Sequence, residues 1–200
     1  MFMSLLEAPE EMVVDLDEAK AHARVEVDDD DRLIQGLIAT ATQYAETYTQ
    51  RALITQQWEM QLDAWPCSDR WIEIPKPPLV SIDEIGYLDR NGDEQVWDAA
   101  DYRVIAPQGP TAQKGRLILK SGSRWPTILN ESSSVFVRFT AGYGAHGAQV
   151  PDAIVHAIKV HIAEMYENRE STVLTGAVLQ EVPFSVNNLL WPYVVDKFGL

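Results

Sequence analysis

Cysteine is nearly missing: Cys67 is the only one in 200 residues. No disulfide can form within the chain, and metal sites built from several thiolates are excluded. Basic residues are also scarce. Lys and Arg number 16 against 30 Asp and Glu, a formal charge of −14. A surface of that sign repels phosphate, which argues against a protein that grips DNA. It is compatible with a wall that DNA slides past, since repulsion prevents sticking. No uncharged apolar run approaches the roughly 20 residues that span a bilayer, so no membrane partner is expected. Met1–Leu6 has neither a basic leader nor a long apolar core, so no signal peptide is expected either. These shortages predict a soluble chain made in a reducing cytoplasm.

Hydrophobic residues make up 46% and charged residues 23%, the balance of a globular protein. Asp15 or Asp17 can cap a short helix over 16–25, and Glu18 suits the positive end of its dipole. After Asp28–Asp31, the residues Leu33, Ile34, Leu37, Ile38, Ala41, Tyr44, Ala45 and Tyr48 recur at helical spacing. They predict an amphipathic helix over about 30–50. The period then drops to two: Trp58, Met60, Leu62 and Ala64 alternate with Gln57, Glu59, Gln61 and Asp63. Trp71, Ile72 and Ile74 make a second strand, stopped by Pro75, Pro77 and Pro78. Residues 79–88 and 93–97 read as a hairpin around Asn91-Gly92. Further strands are expected at 101–105, 115–120 and 134–140, with an exposed, mobile loop at 106–114.

Beyond Gly142, Gly144 and Gly147 the helical period returns, with Pro151 suited to a first turn. Ile154, Ile158, Ile162 and Met165, with Val155 and Tyr166, build its buried face. The order predicts an α+β fold: a helical core of two N-terminal helices and one long C-terminal helix, with an inserted antiparallel β lobe. The expected parts are an N-terminal helical part at 1–55, the β lobe at 56–142, a core helix at 150–170, and an extended apolar tail at 171–200.

Four features invite a chemical reading. The Asp28–Asp31 run lacks the alternating oxygen ligands, Gly turn and distal Glu of a calcium loop; ahead of a helix it reads as dipole-facing charge. His156, His161 and Glu164 share one predicted helix, yet five-residue spacing turns the two rings roughly 140° apart. They lack a third or fourth partner for zinc. Ala141-Gly142-Tyr143-Gly144 lacks the Lys and Ser/Thr of a phosphate loop and reads as a joint from strand to helix. Cys67 stands between Pro66 and Ser68 with no base beside it, and no nucleophile-elbow motif occurs. No catalytic, cofactor or metal residue is nominated. The tail is richer: Phe184, Val186, Leu189, Leu190, Trp191, Tyr193, Val194, Val195, Phe198 and Leu200 crowd its last seventeen residues. Two readings stand: the tail folds back on the chain's own core, or it inserts its aromatic anchors into a neighbour.

Several phrases recur together in a known order. Leu16-Asp17-Glu18-Ala19-Lys20-Ala21-His22 leads to Val25 and an acidic stretch; Tyr44-Ala45-Glu46 and Arg51-Ala52-Leu53-Ile54-Thr55-Gln56 close the long helix into Trp58-Glu59. Pro75-Lys76-Pro77-Pro78-Leu79 precedes Val80-Ser81-Ile82, and Asp101-Tyr102-Arg103-Val104 follows. Then come Phe139-Thr140-Ala141-Gly142-Tyr143-Gly144, Val150-Pro151-Asp152-Ala153-Ile154, Tyr166-Glu167-Asn168-Arg169-Glu170 and Leu189-Leu190-Trp191-Pro192-Tyr193. Over about residues 12–193 the chain resembles the head-tail connector (head completion or adaptor) proteins of tailed bacteriophages, a family with relatives in gene transfer agents.

The resemblance implies a structural protein and not an enzyme. It implies a ring of twelve copies beneath the portal, at the head-tail junction of the particle, extending the DNA channel. It also implies a platform for a stopper or other neck or tail protein, and passage of DNA without sequence-specific binding. The C-terminal segment would dock on the portal, giving Leu189, Trp191, Tyr193 and Phe198 a contact role, with Phe184 and Leu190 completing the apolar set. The chain departs from the pattern at Val194, where relatives often carry a basic residue. Three other readings stay open: a stopper or tail-terminator protein, a metal-dependent hydrolase using His156, His161 and Glu164, and an acidic monomeric binding module.

Overall fold

A computed structural model describes residues 1–66, 70–168 and 184–195. The described chain is α+β, with four helices and antiparallel sheets. It divides into two units, Met1–Pro9 with Thr55–Tyr143, and Glu10–Ile54 with Gly144–Leu200.

Among its described residues the first unit holds eight strands: β1 (Phe2–Glu7), β2 (Gln56–Leu62), β3 (Trp71–Ile74), β4 (Leu79–Leu88), β5 (Glu94–Val96), β6 (Tyr102–Ile105), β7 (Gly115–Leu119) and β8 (Val135–Ala141). They form a five-stranded sheet, β1-β2-β8-β4-β5, and a three-stranded sheet, β3-β7-β6. The alternation read at Trp58 and Met60 sets the register. Met60 lies opposite Val137, and Val137 opposite Ile85; Trp58 lies opposite Phe139, and Phe139 opposite Ile82. Met60, Val137, Phe139 and Ile85 are buried. Each such side chain contributes about 1.5–3 kcal/mol on leaving water. The polar residues between them carry the other face, where Arg138 donates to Glu59 at 2.9 Å and to Glu84 at 3.4 Å. Phe136 covers Gly86 so closely that a Cβ there would lie 2.0 Å from the ring.

The hairpin turns where Asn91-Gly92 predicts, though only Gly92 takes a positive φ, of 87°. Asp89 Oδ1 accepts from the backbone N–H groups of Asn91 and Asp93 and closes the loop. The loop at 106–114 is mostly exposed, as expected, but it is anchored. Gln108 donates to the Leu79 carbonyl at 2.9 Å, Tyr143 donates to the Pro110 carbonyl at 2.5 Å, and Ala112 is buried. Trp65, Trp97 and Trp125 cluster with centroids 5.0–5.2 Å apart.

β1 corrects the sequence reading. Residues 1–9 sit with the strands, not with an N-terminal helical part. Met3 lies opposite Met60 and Leu5 opposite Trp58, while a bulge falls between Leu5 and Glu7. That bulge and the Leu5-Leu6 pair hide the period of two.

The second unit holds α1 (Leu16–Ala23), α2 (Asp31–Thr49), α3 (Asp152–Glu167) and α4 (Phe184–Leu190). Asp15 caps α1, accepting from the Glu18 N–H at 2.7 Å. Ile34, Ile38, Ala41 and Ala45 of the predicted α2 stripe are buried, Leu37, Tyr44 and Tyr48 are half-buried, and Leu33 is exposed. α2 packs on α3, whose Ile154, Ala157, Ile158 and Ile162 are also buried. The acids before α2 have specific partners and are more than dipole-facing charge. Asp28 and Asp31 accept from Lys20 Nζ at 2.6 and 2.7 Å, and Asp30 accepts from Tyr166 Oη at 2.6 Å. Hydrogen bonding to Asp28, then to Asp31, pushes the Lys20 ammonium above its ordinary range.

Candidate functional site

The apolar C-terminal segment is the feature with most to offer a partner. Its described part is not an extended tail. α4 is followed by a 3-10 turn at Trp191–Tyr193, and both are tied to the chain's own helices. Tyr44 donates to Asn187 Oδ1 at 2.7 Å, Val195 N–H donates to the Thr49 carbonyl at 3.0 Å, and Arg51 Nε donates to the Tyr193 carbonyl at 2.6 Å. Val186, Leu190 and Val195 are buried.

The expected docking set therefore divides. Leu190 is 0% exposed, sealed against its own unit, and in this conformation offers nothing to a neighbour. Trp191 is 51% exposed, while Leu189 and Tyr193 are half-buried. These three leave surface for a partner. Phe184 opens α4. Phe198, Leu200 and residues 171–183 lie outside the described residues, as does Cys67. What the sequence alone could not rank was which face of 184–195 turns inward. Its helix is seven residues long, too short to establish an apolar period.

The residues weighed for chemistry do not converge. His161 is buried on α3, its ring edge-on to Tyr44 at 4.9 Å, with Nδ1 unpartnered among the described residues. Burial pushes its pKa down, against the opposing pull of Glu164. His156 is exposed and meets the ring of His22 at 5.9 Å. Among the described residues no group of three or more His, Cys, Asp or Glu is placed to hold a metal ion. Gly142, at φ 141°, donates its N–H to the Pro78 carbonyl, so that stretch is a turn tied to β4's entry.

A cleft of about 580 Å³ in the helical unit, unnoticed in the sequence, is lined by Glu11, Asp15, Glu18, His146, Asp152 and Lys159 among others. Its charges already serve the fold. His146 pairs with Glu11 at 2.8 Å, Lys159 with Glu18, and Asp15 caps α1. No helix among the described residues is long and apolar enough to cross a membrane.

Residues 13–85 match the model of the family described as phage gp6-like head-tail connector protein. The fold as a whole is similar to that of a chain from the neck of an empty GTA particle computed with C6 symmetry. That match has a TM-score of 0.80 and 22% identity, and covers 99% of this chain and 97% of that one. A chain from the virion of a native gene transfer agent (GTA) particle matches with a TM-score of 0.79 and 23% identity over the same shares. A chain from the neck of a native GTA particle computed with C12 symmetry matches with a TM-score of 0.73 and 21% identity, again over 99% and 97%. No curated protein matches. The family match over 13–85 agrees with the resemblance read from the sequence, and the neighbours share the fold.

Proposed function

We propose that this chain is a structural head-tail connector, an adaptor of the particle neck, and that it works by shape and contact rather than by catalysis. The observation that carries the reading is the connector match over 13–85 together with a neck-protein fold along 99% of the chain. Copies form a ring beneath the portal, extend the DNA channel and offer a platform to the stopper or next tail protein. Neighbours described with C6 and C12 symmetry favour a ring, and twelve copies is the expected number. Head-to-tail contacts that close by rotation generate such a ring. The charge of −14 suits a wall that DNA passes without being held. The C-terminal segment meets the portal through Trp191, Leu189 and Tyr193, with Phe184 and Phe198 as further contacts.

Removing the chain from an assembling particle tests this. DNA-filled heads without tails are expected, rescued when the chain is supplied separately. Fully tailed particles formed in its absence would overturn the reading, and so would a tight two-fold dimer in native mass measurements.

A further inference from the structure

The small sheet β3-β7-β6 has two unlike faces. Register sets Ile72, Leu117 and Val104 in one row, and Leu119 opposite Tyr102. Of these, Ile72, Leu117 and Leu119 are buried. The alternate rows are Trp71, Ile118, Arg103 and Glu73, Arg116, Ile105. Residues directly opposite one another project to the same side, so these six side chains form the outer face. Arg103 and Arg116 are exposed, Ile105 is 42% exposed, and Trp71 and Ile118 are half-buried.

The charge of this face opposes that of the chain. The outward positions of these strands and their ends carry Arg103, Lys114, Arg116 and Lys120 against Glu73, in a chain of 16 bases and 30 acids. Glu73 is answered within the face, 3.4 Å from Arg116 and 3.6 Å from Lys114. The Arg116 guanidinium lies over the Trp71 ring at 4.5 Å, which holds a cation and an aromatic together at the surface. Among the described residues nothing pairs with Arg103. Exposed Arg103, Arg116 and Ile105 beside the half-buried Trp71 have the composition of an interface centre.

We infer that this face docks on the acidic surface of a second copy of the chain. The inference deepens the ring reading and rests on it. Copies each carrying −14 repel one another, and a local basic face offsets that repulsion where they meet. Because the basic face differs from the surface it fits, the contact is head to tail, the kind that closes rings. Duplex DNA is the competing polyanion, but the charge of the whole chain opposes its approach.

Sedimentation velocity of the full chain, across concentration and at low and high salt, tests the inference with Arg103→Glu and Arg103→Lys. The wild type is expected to self-associate and to weaken with salt. Arg103→Glu should lower the association constant at least tenfold with an unchanged circular dichroism spectrum, while Arg103→Lys keeps most of it. Equal association of Arg103→Glu and wild type would remove this face from the contact. A wild type monomeric at every concentration would overturn self-docking, although its incorporation into particles would leave the neck reading standing. Retention of a duplex DNA fragment that Arg103→Glu abolishes would reassign the face to DNA.

Discussion

Arg51 and Tyr193 stand 142 residues apart in the chain, yet Arg51 Nε donates to the Tyr193 carbonyl at 2.6 Å. Arg51 is 1% exposed. A guanidinium so buried is stable only where its donors are met, and the C-terminal segment supplies one of the acceptors. Arg51→Met keeps the aliphatic stem and removes that donor. Hydrogen bonds to charged groups are worth roughly 1.5–3 kcal/mol, so urea unfolding should show a loss of that order. Hydrogen exchange at the Val195 amide should quicken as well, because its bond to the Thr49 carbonyl belongs to the same junction.

Gly147 tests a different constraint. A Cβ at this position would lie 2.1 Å from the carbonyl oxygen of Val13. The obstacle is backbone and cannot swing aside as a side chain does. Gly147→Ala should therefore destabilise the helical unit by about 1–3 kcal/mol, the usual cost of overpacking. Gly36→Ala, where nothing lies within 4 Å of the added carbon, is the control. In a helix interior alanine is favoured over glycine by roughly 1 kcal/mol, so that variant should gain stability. The two glycines should move thermal midpoints in opposite directions.

Much of the fold was legible because local pattern and packing agree. The α2 stripe at Ile34, Ile38, Ala41 and Ala45 is a helical period that is indeed buried, and Gly92 turns the hairpin that its dipeptide announces. β1 was not legible: a bulge beside Leu5 breaks its alternation, and its partner β2 lies some fifty residues on. The Asp28–Asp31 run reads as generic charge, since the Lys20 and Tyr166 partners come from other helices. The C-terminal segment was half legible. Its apolar content marks it as important, but whether Leu190 or Trp191 faces inward depends on where Arg51 and Thr49 hold the turn.

His161 gives the helical unit a pH dependence. Its ring is buried against Tyr44, and burial holds its pKa below the ordinary 6.5. Between the folded and unfolded pKa values the unfolded chain binds a proton that the folded chain does not, so stability falls as pH drops through that window. The full contribution is present above 6.5 and is lost as the pH moves down toward the folded value. Urea midpoints at pH 7.5 and 5.5 should differ for the wild type, and His161→Phe should shrink the difference. An unchanged difference would take His161 out of the acid sensitivity. Glu59 cannot account for it: burial would raise its pKa, but hydrogen bonds from Gln61 and Arg138 hold it below the ordinary 4.5, outside this window.

Leu190 and Trp191 are adjacent, yet they differ sharply in burial. Leu190 is 0% exposed and Trp191 is 51% exposed. Truncating a buried leucine costs about 2–5 kcal/mol through lost burial and the cavity left behind. Trp191 has about half its surface covered, so its truncation costs less than that. Leu190→Ala should therefore lower the unfolding midpoint sharply, and Trp191→Ala by a smaller step. The order reverses for attachment. If Trp191 is an anchor for the portal, Trp191→Ala should weaken co-sedimentation with portal rings at least tenfold while the chain stays folded. Leu190→Ala should affect attachment only in proportion to the fraction unfolded. Equal binding by wild type and Trp191→Ala would move the portal contact off the exposed face of this turn and toward residues beyond Val195.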